Sequence, residues 1–306
     1  MTRFLRFASA SLLFAIGFVA LAPALRAAGP DPDYVKSIEQ ERADRLARLT
    51  KPDGWLTLIG LHFLSPGANT IGSAPDNALV FAAGPAHLGT VTLSPEGRVA
   101  VTLNPSLGAR IDGRERLSAE LNDGSKGGAV TTVKVDALTF FLIDRGGKKA
   151  LRVKDSASER LTHFLGLDYF PIDPSWRIEA EWVPFERPRE VPIRNILGQV
   201  SPALIPGKAV FHRDGRTYEL LPLIEGADEP LFFVIADTTS GNETYAAARF
   251  LYADPPQGGK LVLDFNLAVN PPCAFTPFAT CPLPPKENRL PLAVTAGEKK
   301  YRGEHE

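Results

Sequence analysis

The rhythm that begins at Trp55 constrains this chain most. Short apolar runs recur at 55–58, 78–81, 89–93, 99–103, 130–135, 138–143 and 150–153. Gly, Pro, Asn or Asp breaks them roughly every eight to twelve residues, too often for core helices and at the spacing of strands joined by turns. Arg145-Gly146-Gly147-Lys148 reads as a hairpin turn, because two successive glycines accept positive φ without strain. The pattern resumes at 178–183, 209–213, 217–221, 231–235, 245–251 and 260–266. Such texture predicts sandwiches or barrels. Between the halves lies a proline-rich stretch with Arg187-Pro188-Arg189-Glu190-Val191-Pro192. Proline lacks the N–H that a ladder needs, so the stretch reads as a link between two β units, with an edge strand as the alternative.

Ahead of the strands, Asp31 to Thr50 predicts a helix. Tyr34, Ile38, Leu46 and Leu49 fall near one face, Glu41–Arg45 and Asp44–Arg48 make i,i+4 pairs, and Asp31 or Asp33 caps the start. The expected class is mainly β: two sandwich- or barrel-like units in series after a short N-terminal helix. The expected divisions are a signal peptide at 1–28, a helix at 29–50, an N-terminal β unit at 51–184, a link at 185–206 and a C-terminal β unit at 207–306.

The signal expectation rests on order. Arg3 and Arg6 precede an apolar run from about Phe7 to Leu25, and Ala22, Ala24, Ala27 and Ala28 offer small residues for cleavage. A retained anchor is the alternative reading of that run. The expected location is therefore periplasmic or secreted. The whole chain carries a net charge of −1, and removal of Arg3, Arg6 and Arg26 makes it more acidic. A dispersed, mildly acidic surface argues against nucleic-acid partners. No membrane contact is expected after signal cleavage, and the oligomeric state is not readable. Cys273 and Cys281 are the only two cysteines. In an oxidising compartment they are expected to form a disulfide.

No hydrolase elbow, zinc-protease or phosphate-loop motif is present, and the five histidines stand without ligand spacing. No cofactor and no metal are expected. Gly67-Ala68-Asn69-Thr70-Ile71-Gly72-Ser73 with His87-Leu88-Gly89 resembles the opening of forkhead-associated domains, which are β-sandwiches that bind phosphothreonine. Ser73 and Pro85-Ala86 replace the residues that would hold a phosphate, so the resemblance implies only the sandwich.

The C-terminal stretch is more distinctive. It runs Asp264-Phe265-Asn266 through Asn270-Pro271-Pro272-Cys273-Ala274-Phe275, then Thr280-Cys281-Pro282-Leu283-Pro284-Pro285 and Glu287-Asn288-Arg289. With Gly54-Trp55-Leu56, Ile71-Gly72-Ser73, Arg152 with Asp155, and Asp237-Thr238-Thr239 with Thr244-Tyr245 and Arg249, it resembles the uncharacterised bacterial and archaeal family catalogued as domain of unknown function DUF1684. That resemblance implies no activity.

Site residues must therefore come from chemistry. On an extended strand Asp264, Asn266 and Asn270 would share one face. A stiff Pro/Cys segment then delivers Glu287, Asn288 and Arg289, with Asp237, Tyr245 and Arg249 as further wall members of a polar pocket. The leading expectation is binding of a polar small molecule or glycan there. A hydrolase with Glu287 and Asp264 as its two carboxylates is the second, and calcium held by the same oxygens is a lesser variant. An envelope interaction protein presenting Phe275 and Phe278 is the third. Against all three stands plain bracing, through pairs such as Asp264–Arg289 or Glu287–Arg249.

Overall fold

The computed structural model describes residues 31–125, 127–224 and 230–303, so the expected signal peptide lies outside the described residues. The first β rhythm becomes eleven strands: β1 (Leu58–Phe63), β2 (Gly67–Gly72), β3 (Leu79–Val80), β4 (Gly89–Leu93), β5 (Val99–Leu103), β6 (Arg110–Ile111), β7 (Arg114–Glu115), β8 (Ser118–Glu120), β9 (Thr132–Val135), β10 (Leu138–Arg145) and β11 (Lys148–Asp155). They form one sheet of order β1-β11-β10-β9-β6-β7 and another of order β3-β2-β4-β5-β8. Alternation decides the packing. In β5, Val99, Val101 and Leu103 are buried while Ala100 and Thr102 face out. Ile71, Val91 and Val101 of one sheet meet Val133, Phe140 and Leu151 of the other in a single core. The turn between β10 and β11 holds Gly146 and Gly147 at φ 62° and 79°, as the sequence requires. Gly89 serves close approach: a Cβ there would stand 2.1 Å from the Thr102 carbonyl oxygen.

The second rhythm gives β12 (Arg177–Arg194), β13 (Val200–Arg213), β14 (Arg216–Leu220), β15 (Leu231–Ile235), β16 (Arg249–Ala253) and β17 (Lys260–Asp264). A four-stranded sheet runs β14-β13-β12-β17, and β15 pairs with β16. A half-barrel is among the sheets of the chain. Residues 185–206, read first as a link, form the outer half of the β12–β13 hairpin, which corresponds to the edge-strand alternative. β17 flanks β12 only at 177–181 and β14 flanks β13 only at 209–213, and the tip of the outer half is met by residues 281–283, where the Leu283 N–H donates to the Arg194 carbonyl at 2.8 Å and the Ile196 N–H to the Cys281 carbonyl at 3.0 Å. The register slips between Pro184 and Arg189, and Pro192 faces Pro202. Two residues without N–H tolerate that opposition at a pair that exchanges no hydrogen bonds.

The leading helix, α1 (Pro32–Leu49), starts on Asp31, whose side chain accepts from the Asp33 N–H. Ile38 and Leu49 are buried, and Leu49 joins Leu56, Ala274 and Phe275 in a cluster that ties helix, first unit and Pro/Cys segment together. The expected Glu41–Arg45 and Asp44–Arg48 pairs do not form. Arg45 turns instead to Glu298 at 3.0 Å, whose side chain is fully buried, and Asp44 accepts from Gln40. A buried carboxylate gains far more from a cation than an exposed one does. Phe275, expected as an exposed contact, is also buried, packed against Tyr301 and Phe164.

Candidate functional site

The polar residues singled out in the sequence are largely engaged as braces. β17 ends at Asp264, and the chain tightens into a 3-10 turn over 265–267. The extended face expected to align Asp264, Asn266 and Asn270 therefore does not exist. Asp264 accepts from the Asn266 N–H at 3.1 Å and from the Tyr34 hydroxyl at 3.0 and 2.9 Å. Burial, and then the Asp264 carboxylate, raise the Tyr34 pKa. Asn266 exchanges bonds with the Asp173 backbone at 3.0 and 2.8 Å. Asn288, fully buried, accepts from Leu221 N–H at 2.7 Å and donates to the Leu221 and Val234 carbonyls at 2.9 Å. Asp237 pairs with Arg249 at 2.7 Å and accepts from Thr239. Arg249 also donates to the Ala296 and Val294 carbonyls. Arg249 thus pairs with Asp237, and neither the Asp264–Arg289 nor the Glu287–Arg249 brace is present among the described ion pairs.

Tyr245 donates to the Cys273 carbonyl at 2.9 Å. Arg289 and Glu287 are exposed. Glu287 rims an open groove of about 730 Å³ beside Phe185, Arg187 and Lys208, which Asp264 does not line. The two carboxylates of the hydrolase expectation are therefore not brought together. In that groove Lys208 is matched by Glu219 at 2.6 Å, and Arg189 stacks 3.8 Å from the Phe185 ring. Cys273 and Cys281 are neighbours, with the Cys273 N–H donating to Cys281 Sγ at 3.2 Å, but both are free thiols in this structure.

Unmet polar groups lie elsewhere, where the first unit faces α1 and the Pro/Cys segment. β11 sends Leu151 and Val153 into the sandwich core. Strand alternation turns Arg152 to the opposite face. The second unit covers that face, leaving Arg152 7% exposed. Its Nε has no hydrogen-bond partner, and no described residue offers it a carboxylate. Its guanidinium lies 5.2 Å from the Trp55 ring centre. Burial first, and then the charge of Arg145, pull its pKa down to about 10. Arg145 is fixed by donation to Thr280 Oγ1 and the Asp144 carbonyl, each at 2.9 Å. Asn270 is held by bonds to Glu298 and the Lys299 carbonyl, yet its Oδ1 is buried without a partner.

These groups line a cavity of about 340 Å³, with Arg45, Arg145, Arg152, Asn270, Thr280 and Cys281 on its polar side and Phe232, Phe250 and Tyr252 on its apolar side. No lining residue is acidic. A guanidinium donates in a planar fork suited to carboxylate or phosphate oxygens. Of the residues expected to form the site, only Asn270 and Cys281 line this cavity. Arg152 was visible beforehand as a family-like residue, but nothing in the sequence marked it as buried. Among the described residues no cluster of His, Cys, Asp and Glu has the grouping of a metal site.

Residues 162–299 match the family described as Protein of unknown function (DUF1684). This span supplies Asn270, Thr280 and Cys281, while Arg145 and Arg152 precede it. The chain is 35% identical to an uncharacterized protein of Haloarcula marismortui with a solution NMR structure; the match covers 45% of this chain and 78% of that one, with a TM-score of 0.39. No curated protein matches the chain. Over residues 162–299, the chain belongs to the DUF1684 family.

Proposed function

We propose that the protein binds a small anionic molecule, one carrying a carboxylate or phosphate such as an acidic sugar, in the cavity around Arg152. One observation carries this reading: a guanidinium 7% exposed with no acid beside it. An unpaired buried charge is costly, and the fold does not offset it with a carboxylate of its own. An anion entering the cavity supplies the missing charge and the acceptors for Arg152, with Arg145 alongside. Phe232, Phe250 and Tyr252 offer surface for an apolar or ring-shaped remainder.

The binding is proposed to take place outside the cytoplasm, in the periplasm or after secretion. The charged, apolar and small-residue order of residues 1–28 supports export. In that setting Cys273 and Cys281, already in contact, close as a disulfide and stiffen the segment that carries Thr280. N-terminal sequencing of the exported protein is expected to begin between residues 25 and 29, and the oxidised protein is expected to resist thiol alkylation.

The binding test is thermal melting in phosphate, sulfate and small carboxylates against chloride at equal ionic strength. A saturable rise that is lost in Arg152→Met supports the reading. Equal melting in every anion overturns it.

A further inference from the structure

The cavity around Arg152 is one of two chambers. A second, of about 420 Å³, is lined by Arg45, Arg48, Lys51, Lys154, Asp53 and Phe141, and it shares Arg45, Trp55 and Arg152 with the first. The shared residues place Arg152 at the junction. Charge in the second chamber is also unbalanced, since Asp53 is the only acid among its lining residues. Lys154 donates to the backbone carbonyl of Asp53 rather than to a carboxylate, and its ammonium lies 5.5 Å from the Phe141 ring centre. Burial lowers its pKa.

The spacing of the two cations is set by the strand. Arg152 and Lys154 stand at i and i+2 of β11, so they leave the same face of the sheet roughly 7 Å apart. Arg145 comes from the same face of β10, because Phe140 and Leu142 between them take the core side. The sheet therefore presents Arg145, Arg152 and Lys154 toward the cleft, and a single anionic group seated on Arg145 and Arg152 leaves Lys154 with the Asp53 charge alone set against burial and the repulsion of Arg152.

We infer that the natural ligand is two-headed: a small molecule with two anionic groups roughly 7 Å apart, one on Arg145 and Arg152 and the other on Lys154 in the second chamber. This rests on the anion-binding reading of Arg152 and narrows its ligand class.

The test is calorimetric titration at low ionic strength with two probe series. One is the straight-chain α,ω-dicarboxylates from malonate to azelate, each against the monocarboxylate of equal length. The other is the alkane-α,ω-bisphosphonates against the matching monophosphonates. The expected result in at least one series is an optimum at intermediate length, where the two-headed probe binds about tenfold or more tighter than its one-headed counterpart. Lys154→Met and Lys154→Gln are expected to remove that advantage without changing one-headed binding, and Arg152→Met to remove both. Two variants at Lys154, each checked for native circular dichroism, guard against a folding defect. Equal affinity of one- and two-headed probes at every length, or an advantage that survives both Lys154 variants, overturns the two-headed ligand and leaves the anion site standing. Failure of every probe in both series to bind overturns the anion site as well.

Discussion

Replacing Arg152 by Met is expected to make the ligand-free protein more stable, the reverse of most core substitutions. Met keeps the flexible apolar stem of the side chain, is shorter at its head and removes the charge. The fall of the Arg152 pKa to about 10 measures how strongly its surroundings oppose the guanidinium. It corresponds to roughly 3 kcal/mol at about 1.4 kcal/mol per pKa unit. The stacking on Trp55 is worth about 1 kcal/mol in the other direction, and packing lost around the shorter head removes a further part. The net gain is roughly 1–2 kcal/mol, or about 2–6 °C in Tm for a chain of this size. Calorimetry of the two ligand-free proteins at one pH and salt concentration measures it. Ligand then reverses the order: an anion at about 100 times its Kd stabilises the wild type by about 2.7 kcal/mol and leaves the variant unmoved. A ligand-free variant that melts several degrees below wild type would refute the reasoning, because Arg152 would then be compensated within the fold.

Other substitutions separate bracing from binding. Glu287→Gln, at an exposed position, is expected to change stability by less than about 0.5 kcal/mol in urea unfolding and to leave anion-induced stabilisation intact. Asn288→Ala removes the bridge from Leu221 to Val234 and is expected to lower stability by about 2–4 kcal/mol, since it also leaves buried backbone groups unpaired. Asp237→Ala is expected to lose about 3–5 kcal/mol by orphaning Arg249, with a matching fall in the urea midpoint. Acid unfolding reports on Asp123, whose pKa is lowered first by the hydrogen bond from Lys149. A depressed carboxylate contributes stability above its unfolded pKa of about 4 and loses it as pH falls toward the folded value. Asp123→Asn is therefore expected to be less stable than wild type at neutral pH and to converge with it in strong acid, as followed by circular dichroism.

The sequence by itself determined the β class, the leading helix with its Asp31 cap and the Gly146-Gly147 turn. Each follows from local rules: period-two burial, side-chain capping, and the φ values that only glycine accepts freely. Local rules also pointed to the Pro/Cys segment as special, but they left its polar residues open between a pocket and plain bracing. There tertiary structure decided for bracing. Asp264, Asn266, Asn288, Asp237 and Arg249 look alike in sequence whether they face a ligand or a backbone carbonyl, and the fold gives each of them internal partners. The strand-face alignment failed for a local reason, the 3-10 turn after Asp264, which the Asx-type bond to Asn266 stabilises. Arg152 shows the opposite limit. Within β11 it occupies an outward position between two core residues, where a charged side chain is ordinary. It becomes a buried cation only because α1 and residues 269–282 close over that face, and those contacts join segments more than a hundred residues apart. Periodicity reports which face of a strand a side chain takes. What later covers that face depends on how distant elements dock, which no local pattern encodes.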